Sequence, residues 1–281
     1  MIFTTNESIA SFGGKMLKLS HESPITDSKM QLNLYLPHQY FDPEHKEPLP
    51  VLLFFSGLTS TPDNISEKGY IEPYANKYGL AVLLPDTSPR LEDPKFKDGN
   101  GAGFYVDATT DPWSKHFKMY SYILKDLIPS IGKEFSKLNI QRMSICGHSM
   151  GGFGAIMIYL RNPNRFKSCS GFAPLTHPKG CFNGKKYFTQ YLGPDESKWD
   201  QYDPCDLIKT FDGQKTPILI HQGKGRSSIS RSIYFLKSFW LLLREPKWTD
   251  SSIFVSSMIM ITLTTLRRRL FQNISSFMRN I

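Results

Sequence analysis

Two kinds of apolar spacing alternate along this chain. Met30 to Pro37 reads Met-Gln-Leu-Asn-Leu-Tyr-Leu-Pro. That period-two alternation predicts a half-buried strand, with a hairpin partner around Lys15 to His21. Pro50 to Phe55 and Leu80 to Pro85 are instead continuous apolar runs, as expected of strands covered on both faces. Glu67 to Tyr78 and Tyr120 to Phe135 carry helical spacing. Arg142 to Cys146 predicts a short buried strand and Phe153 to Leu160 a mostly apolar helix. Ser168 to Phe172 and Pro217 to His221 predict two more strands. Strands alternating with helices imply an α/β chain with a mostly parallel sheet, helices on its faces and right-handed crossovers. Such sheets hold their sites beyond the carboxyl ends of the strands, where Gly57, Ser149 and Gln222 fall.

One of those ends carries a chemical signature. Gly147-His148-Ser149-Met150-Gly151-Gly152 contains Gly-x-Ser-x-Gly between a predicted strand and a predicted helix, the nucleophile elbow of the α/β-hydrolase fold. Small residues two before and two after the serine let a sharp turn close without a clash. The turn lifts the Ser149 hydroxyl above the sheet. The N–H groups that follow open a helix and face any developing negative charge. A plain glycine-rich strand–helix turn is the competing reading.

Composition narrows the picture only a little. The 281 residues suffice for one substantial core. The amino terminus has no basic–apolar–small signal pattern. The longest apolar stretch, Ile233 to Leu243, is interrupted by Lys237 and Ser238 and is too short to span a bilayer. Cys146, Cys169, Cys181 and Cys205 have neither metal-site spacing nor the density of a disulfide framework, so reduced thiols in a cytoplasmic setting are expected. The net charge of +9 would suggest nucleic acid, but residues 225–281 alone hold nine Lys/Arg against two Asp/Glu. The remainder is nearly balanced and has no basic stripe, which argues against a nucleic-acid partner.

Several separated segments resemble S-formylglutathione hydrolase, the esterase D family. They are Phe12-Gly13-Gly14, Tyr35-Leu36-Pro37, Ser56-Gly57-Leu58-Thr59, Asn64, Pro85 to Arg90, Gly101 to Thr109, Pro112-Trp113 and Gly147 to Gly154. The run Gly-Ala-Gly-Phe-Tyr-Val-Asp-Ala within them is far more specific than the elbow. The resemblance extends from about Phe12 to Lys224. It implies a cytoplasmic, cofactor-free and metal-free serine thioesterase that hydrolyses S-formylglutathione to formate and glutathione, is often dimeric, and often accepts simple esters. It makes Ser149 the nucleophile and the backbone N–H groups of Leu58 and Met150 the oxyanion hole. The loop after the third strand is also where this fold places its second donor. Ser60 stands where the family commonly has cysteine, which should remove sensitivity to thiol reagents. His148 is adjacent to Ser149 on a sharp turn and should point away from it. Trp113 and Tyr105 either line a pocket or pack under a loop. Asp107 is expected to cap a loop and His177 to be a loop histidine.

The other half of the machinery is missing. A serine nucleophile needs a histidine to take its proton and an acid to orient that histidine, in the chain order Ser, Asp/Glu, His. No histidine follows His221, and the later acids are only Glu245 and Asp250. His221 begins the loop expected to carry the acid and is a poor substitute for the base. The family continues Gly-Lys-Asp-Asp-x-Phe here and ends with Gly-Tyr-Asp-His, whereas this chain departs after His221-Gln222-Gly223-Lys224. Beyond Gly225 there is no further glycine, and residues 225–281 contain eleven serines and an Arg267-Arg268-Arg269 run. Residues 1–224 are therefore expected to form the hydrolase domain, and 225–281 a divergent, frame-shifted tail replacing its end. Codons for Gly225-Arg226-Ser227 read one base later can give Asp-Asp-Pro. Met258-Ile259-Met260 can give Asp-His, and Gln272 to Ser275 can give Lys-His-Phe, both read two bases later and so in one frame with each other. The expectation is a nucleophile without its proton acceptor, a nearly inactive polypeptide and a tail that leaves a sheet edge uncovered. A general carboxylesterase and a naturally spliced, inactive variant with a partner-binding basic tail remain the alternatives.

Overall fold

A computed structural model of the chain describes residues 2–213, 218–223 and 253–258. The boundary at 224/225, Glu245, Asp250 and the Arg267–Arg269 run lie outside the described residues. Nine described strands form one sheet in the order β1-β2-β3-β5-β4-β6-β7-β8-β9. They are β1 (Thr4–Ser11), β2 (Gly14–Ser23), β3 (Ser28–Leu36), β4 (Leu49–Phe55), β5 (Ala81–Pro85), β6 (Leu138–His148), β7 (Cys169–Phe172), β8 (Ile218–Gly223) and β9 (Ile253–Met258). The first three run antiparallel, and β3 joins β5 antiparallel. From β5 through β4, β6, β7, β8 and β9 every pairing is parallel. This is the α/β architecture that the alternating elements predict.

The apolar runs explain the centre. β5 is buried at every position, and in β4 only Pro50 is partly open. Leu53 and Phe55 enter one core, while Leu52 and Phe54 enter a second core on the opposite face. The first core is the larger. It takes in the helical stretch 119–134 (α3) and helices α4 (Met150–Arg161), α5 (Phe182–Leu192) and α6 (Pro204–Thr210). The second is closed by Ile71 and Ala75 around α2 (Glu72–Tyr78). Every residue of α4 from Met150 to Leu160 is buried, so the helix that follows the elbow is a core element.

Three expectations need correction. Glu67 to Tyr78 is not one helix: α1 (Asp63–Lys68) and α2 are separated where Gly69 ends the first and Tyr70 takes φ 54°. α3 is not uniformly wound; Tyr122–Leu127 is a wider π-turn that puts Tyr122, Ile123 and Leu127 in the core, with the Tyr122 hydroxyl 3.0 Å from His21 Nε2. The edge of β8 is not open, because β9 pairs with it in parallel over six positions, from Ile218↔Ile253 to Gly223↔Met258.

Phe153, fully buried on α4, sits with its ring centroid 6.0 Å from Phe104 and 5.9 Å from Phe188. Truncation there removes a ring that no neighbour can replace. Phe153→Ala should lower the free energy of unfolding by about 3–5 kcal/mol in denaturant titration; a loss below 1 kcal/mol would mean that this core repacks.

Candidate active site

Ser149 ends β6 and precedes α4 with φ 55° and ψ −117°, a backbone conformation that L-residues avoid. Strain of this kind costs roughly 1–3 kcal/mol and persists only where the surroundings enforce it. They do so here. The Ser149 N–H donates to Phe172 O at 2.9 Å, and its carbonyl accepts from Phe153 N at 3.0 Å and Leu175 N at 3.4 Å. A side chain at Gly151 would overlap the Phe55 carbonyl oxygen and lie 2.5 Å from Ser56 O, so the first turn of α4 rests directly on the end of β4. Positive φ also occurs at Thr59, Phe104, Tyr105 and Ala173, in the loops around the serine.

The loop after β4 lies alongside. A Cβ placed on Gly57 would be 3.4 Å from Ser149 Cβ. Ser60 N–H closes a tight turn onto Gly57 O at 3.2 Å, with Thr59 at φ 65° in its third position. Leu58 N–H and Met150 N–H have no acceptor among the described residues. The structure thus sets Gly57, the residue before Leu58, against Ser149, which Met150 follows directly.

The remaining candidates fall elsewhere. His148 is exposed. Trp113 packs against Phe96, Phe117 and Tyr191 under a loop. Tyr105 is fully buried, and its hydroxyl donates to Ser56 O at 2.9 Å, so it anchors the loop and does not line a pocket. Asp107 caps α3, accepting from Ser121 N at 2.9 Å and Ser121 Oγ at 2.6 Å. His177, in the loop after β7, meets both oxygens of fully buried Asp203 through Nδ1 at 3.0 Å. Together with Cys205 these form a three-residue cluster of ligand-type atoms within 4.8 Å of one another. Its chemistry is already committed. Asp203 also accepts from Lys179 N and Cys205 N, and burial pushes the Cys205 thiol up to about 12 while it donates to Thr176 O. The cluster ties the loop after β7 to the start of α6.

His221 is buried on β8, stacked on Phe172 at 5.7 Å with 18° between the ring planes. Neither of its ring nitrogens has a hydrogen-bond partner among the described residues, and burial pushes its pKa down. A carboxylate to orient it is therefore lacking among the described residues. The sequence gives no role to Asp86, Thr87 and Arg90. The Thr87 and Arg90 side chains join the Ser56–Ser60 loop and Asp86 holds Arg90, and only the presence of their motif could have drawn attention to them.

A mostly parallel sheet with a strained serine between its central strand and a buried helix is the architecture of the α/β-hydrolases. The Esterase family model matches residues 23–249. The chain is 46% identical over 242 residues to an S-formylglutathione hydrolase of Bos taurus, covering 84% of each chain. It is 43% identical over 228 residues to the enzyme of that name from Saccharomyces cerevisiae, covering 75% of this chain and 76% of the other. A solved S-formylglutathione hydrolase from Agrobacterium tumefaciens superposes with a TM-score of 0.86 at 34% identity over 99% of each chain. The chain belongs to the S-formylglutathione hydrolase family.

The close approach at the elbow makes a direct prediction. Gly151→Ala drives a methyl group into the end of β4 and should destabilise the protein by about 3 kcal/mol. An unchanged unfolding midpoint would show that β4 yields to the added methyl.

Proposed function

We propose that this chain is built to hydrolyse S-formylglutathione through Ser149, and that as written it does so poorly because the proton-transfer half of the site is missing. The observation that carries the first part is the strained Ser149 of a member of this family, with the Gly57-Leu58 loop against it and with the Leu58 and Met150 amides lacking an acceptor among the described residues. Ser149 Oγ attacks the thioester carbonyl carbon, and the carbonyl π electrons move onto oxygen, which the two amides receive. Collapse of that oxyanion expels glutathione as thiolate and leaves a formyl ester on Ser149. Water then releases formate. Each preorganised amide contributes about 3 kcal/mol to such a transition state. Ser149 and the two amides supply the attack and the oxyanion stabilisation, whereas the Ser149 proton, and a proton of the water that releases formate, must pass to a base.

The second part rests on the sequence. The hydroxyl proton needs an acceptor, and no histidine follows His221. His221 lacks a partner carboxylate among the described residues and is buried. The C-terminal end of β9, at Met258, aligns with Gly223, at the same edge of the sheet as Ser149. This is where the alternative reading frame supplies Asp-His, which supports a shift of frame near Gly225. The same reading makes the protein a cytoplasmic hydrolase that pairs as a homodimer. No described helix is long and apolar enough to cross a membrane.

Removing the base from a comparable triad costs about a millionfold in turnover, while oxyanion stabilisation and binding retain roughly 10³–10⁴-fold over water. The purified 281-residue chain should therefore hydrolyse S-formylglutathione at least about 10⁴-fold more slowly than an intact family member, with the remainder abolished by Ser149→Ala. Turnover within tenfold of an intact relative would overturn the claim of impairment. Faster hydrolysis of short aryl esters than of the thioester, by a frame-restored chain, would favour the carboxylesterase reading. Coding nucleotides that open no frame with Asp-His across codons 258–260 after deletion of two bases, or insertion of one, near codon 225 would overturn the frame shift.

A further inference from the structure

Two of the most distinctive sequence motifs, Pro85 to Arg90 and Gly101 to Asp107, have no part in the steps above. Both converge on the Ser56–Ser60 loop. Tyr105 Oη holds Ser56 O at 2.9 Å at one end. Thr59 N–H donates to Gly101 O at 2.8 Å in the middle. At the other end Ser60 O accepts from two side chains, Thr87 Oγ1 at 2.6 Å and Arg90 Nη2 at 2.7 Å. Leu58 lies inside this frame.

Arg90 is itself held. Its Nε lies 3.0 Å from Asp86 Oδ2, and its Nη2 lies 2.6 Å from Asp86 Oδ1. Asp86 is 1% exposed and also accepts from Thr87 N. Burial pushes its carboxyl pKa up, and the Arg90 fork pulls it back. Gly101, at φ 80°, lets the loops approach this closely. A Cβ there would lie 2.8 Å from Thr59 Cα and 3.2 Å from Arg90 Nη1. A guanidinium fork can occupy a carboxylate with two nitrogens and still offer a hydrogen to a carbonyl in fixed geometry; an ammonium group cannot hold all three points at once.

We propose that Arg90 is a positioning residue for the reaction: braced by Asp86 and assisted by Thr87, it grips the Ser60 carbonyl and so sets the aim of the Leu58 N–H at the oxyanion. This rests on the reading of Leu58 as an oxyanion donor. A 1 Å misplacement of such a group costs on the order of 10²-fold in rate.

The test uses the 281-residue chain and two independent readouts. Amide hydrogen exchange of Thr59, bonded to Gly101 O, and of Ser60, bonded to Gly57 O, reports the clamp whether or not the protein turns over. Arg90→Met should speed their exchange at least about tenfold while amides of α4 and β6 keep their rates, since local opening is set by local contacts. Arg90→Lys should not restore protection. Thr87→Val removes the second donor without stranding the Asp86 charge. It should give a smaller rise in the same two amides, and it decides the matter should Arg90→Met fail to fold. Unchanged exchange at Thr59 and Ser60, or a rise shared equally with α4 and β6, overturns the clamp. Residual hydrolysis of p-nitrophenyl formate, whose leaving group needs no proton, then reports the aim: kcat should fall about 10–100-fold with KM unchanged. Faster exchange with an unchanged kcat would keep the clamp but sink the donor role of Leu58.

Discussion

The contact between the first turn of α4 and the end of β4 governs this molecule. Gly151 lies against Phe55 O and Ser56 O so closely that no side chain fits between them. That one approach does two things. It lets Ser149 turn sharply out of the sheet, and it fixes how far the elbow stands from the loop beginning at Ser56. The strained serine, its hydrogen bond to Phe172 O and the neighbouring Leu58 amide are consequences of the same packing. A site held to a fraction of an ångström is thus built from backbone, in which rotamer freedom plays no part.

Legibility in the sequence followed the range of the interaction. β4 and β5 stood out because strands covered on both faces must be continuously apolar. The Ser149 elbow stood out because a strand–turn–helix signal is written within a few residues, whereas Leu58 and Met150 were singled out through the family resemblance. β1 was not legible: Thr4–Ser11 is exposed almost throughout and exists by pairing with β2, so its sequence needs no apolar stripe. The break between α1 and α2 was hidden because helical spacing persists across Gly69 and Tyr70, although the backbone there does not continue. The grip of Arg90 on Ser60 joins positions thirty residues apart through a carbonyl, and a carbonyl has no sequence signature.

The same distinction bears on the proposal that half of the site is kept without the other half. Every hydrogen bond described at Ser149 and the Ser56–Ser60 loop arises from residues between Ser56 and Leu175. Among the described residues, the most C-terminal tie to this region is Ala173 N–H donating to His221 O at 2.7 Å, still on β8. The proposed nucleophile and oxyanion donors are therefore held by described residues that precede Lys224. A triad draws its base and acid from beyond this point, in the fold's order of Ser, acid, His. On the roles proposed above, a changed sequence after β8 would remove proton transfer while the electrostatic part of the site keeps its support. The two contributions to rate are separable because they come from different stretches of chain. A member of this fold that lacks the second stretch is a serine aimed correctly at a carbonyl, with its proton still attached.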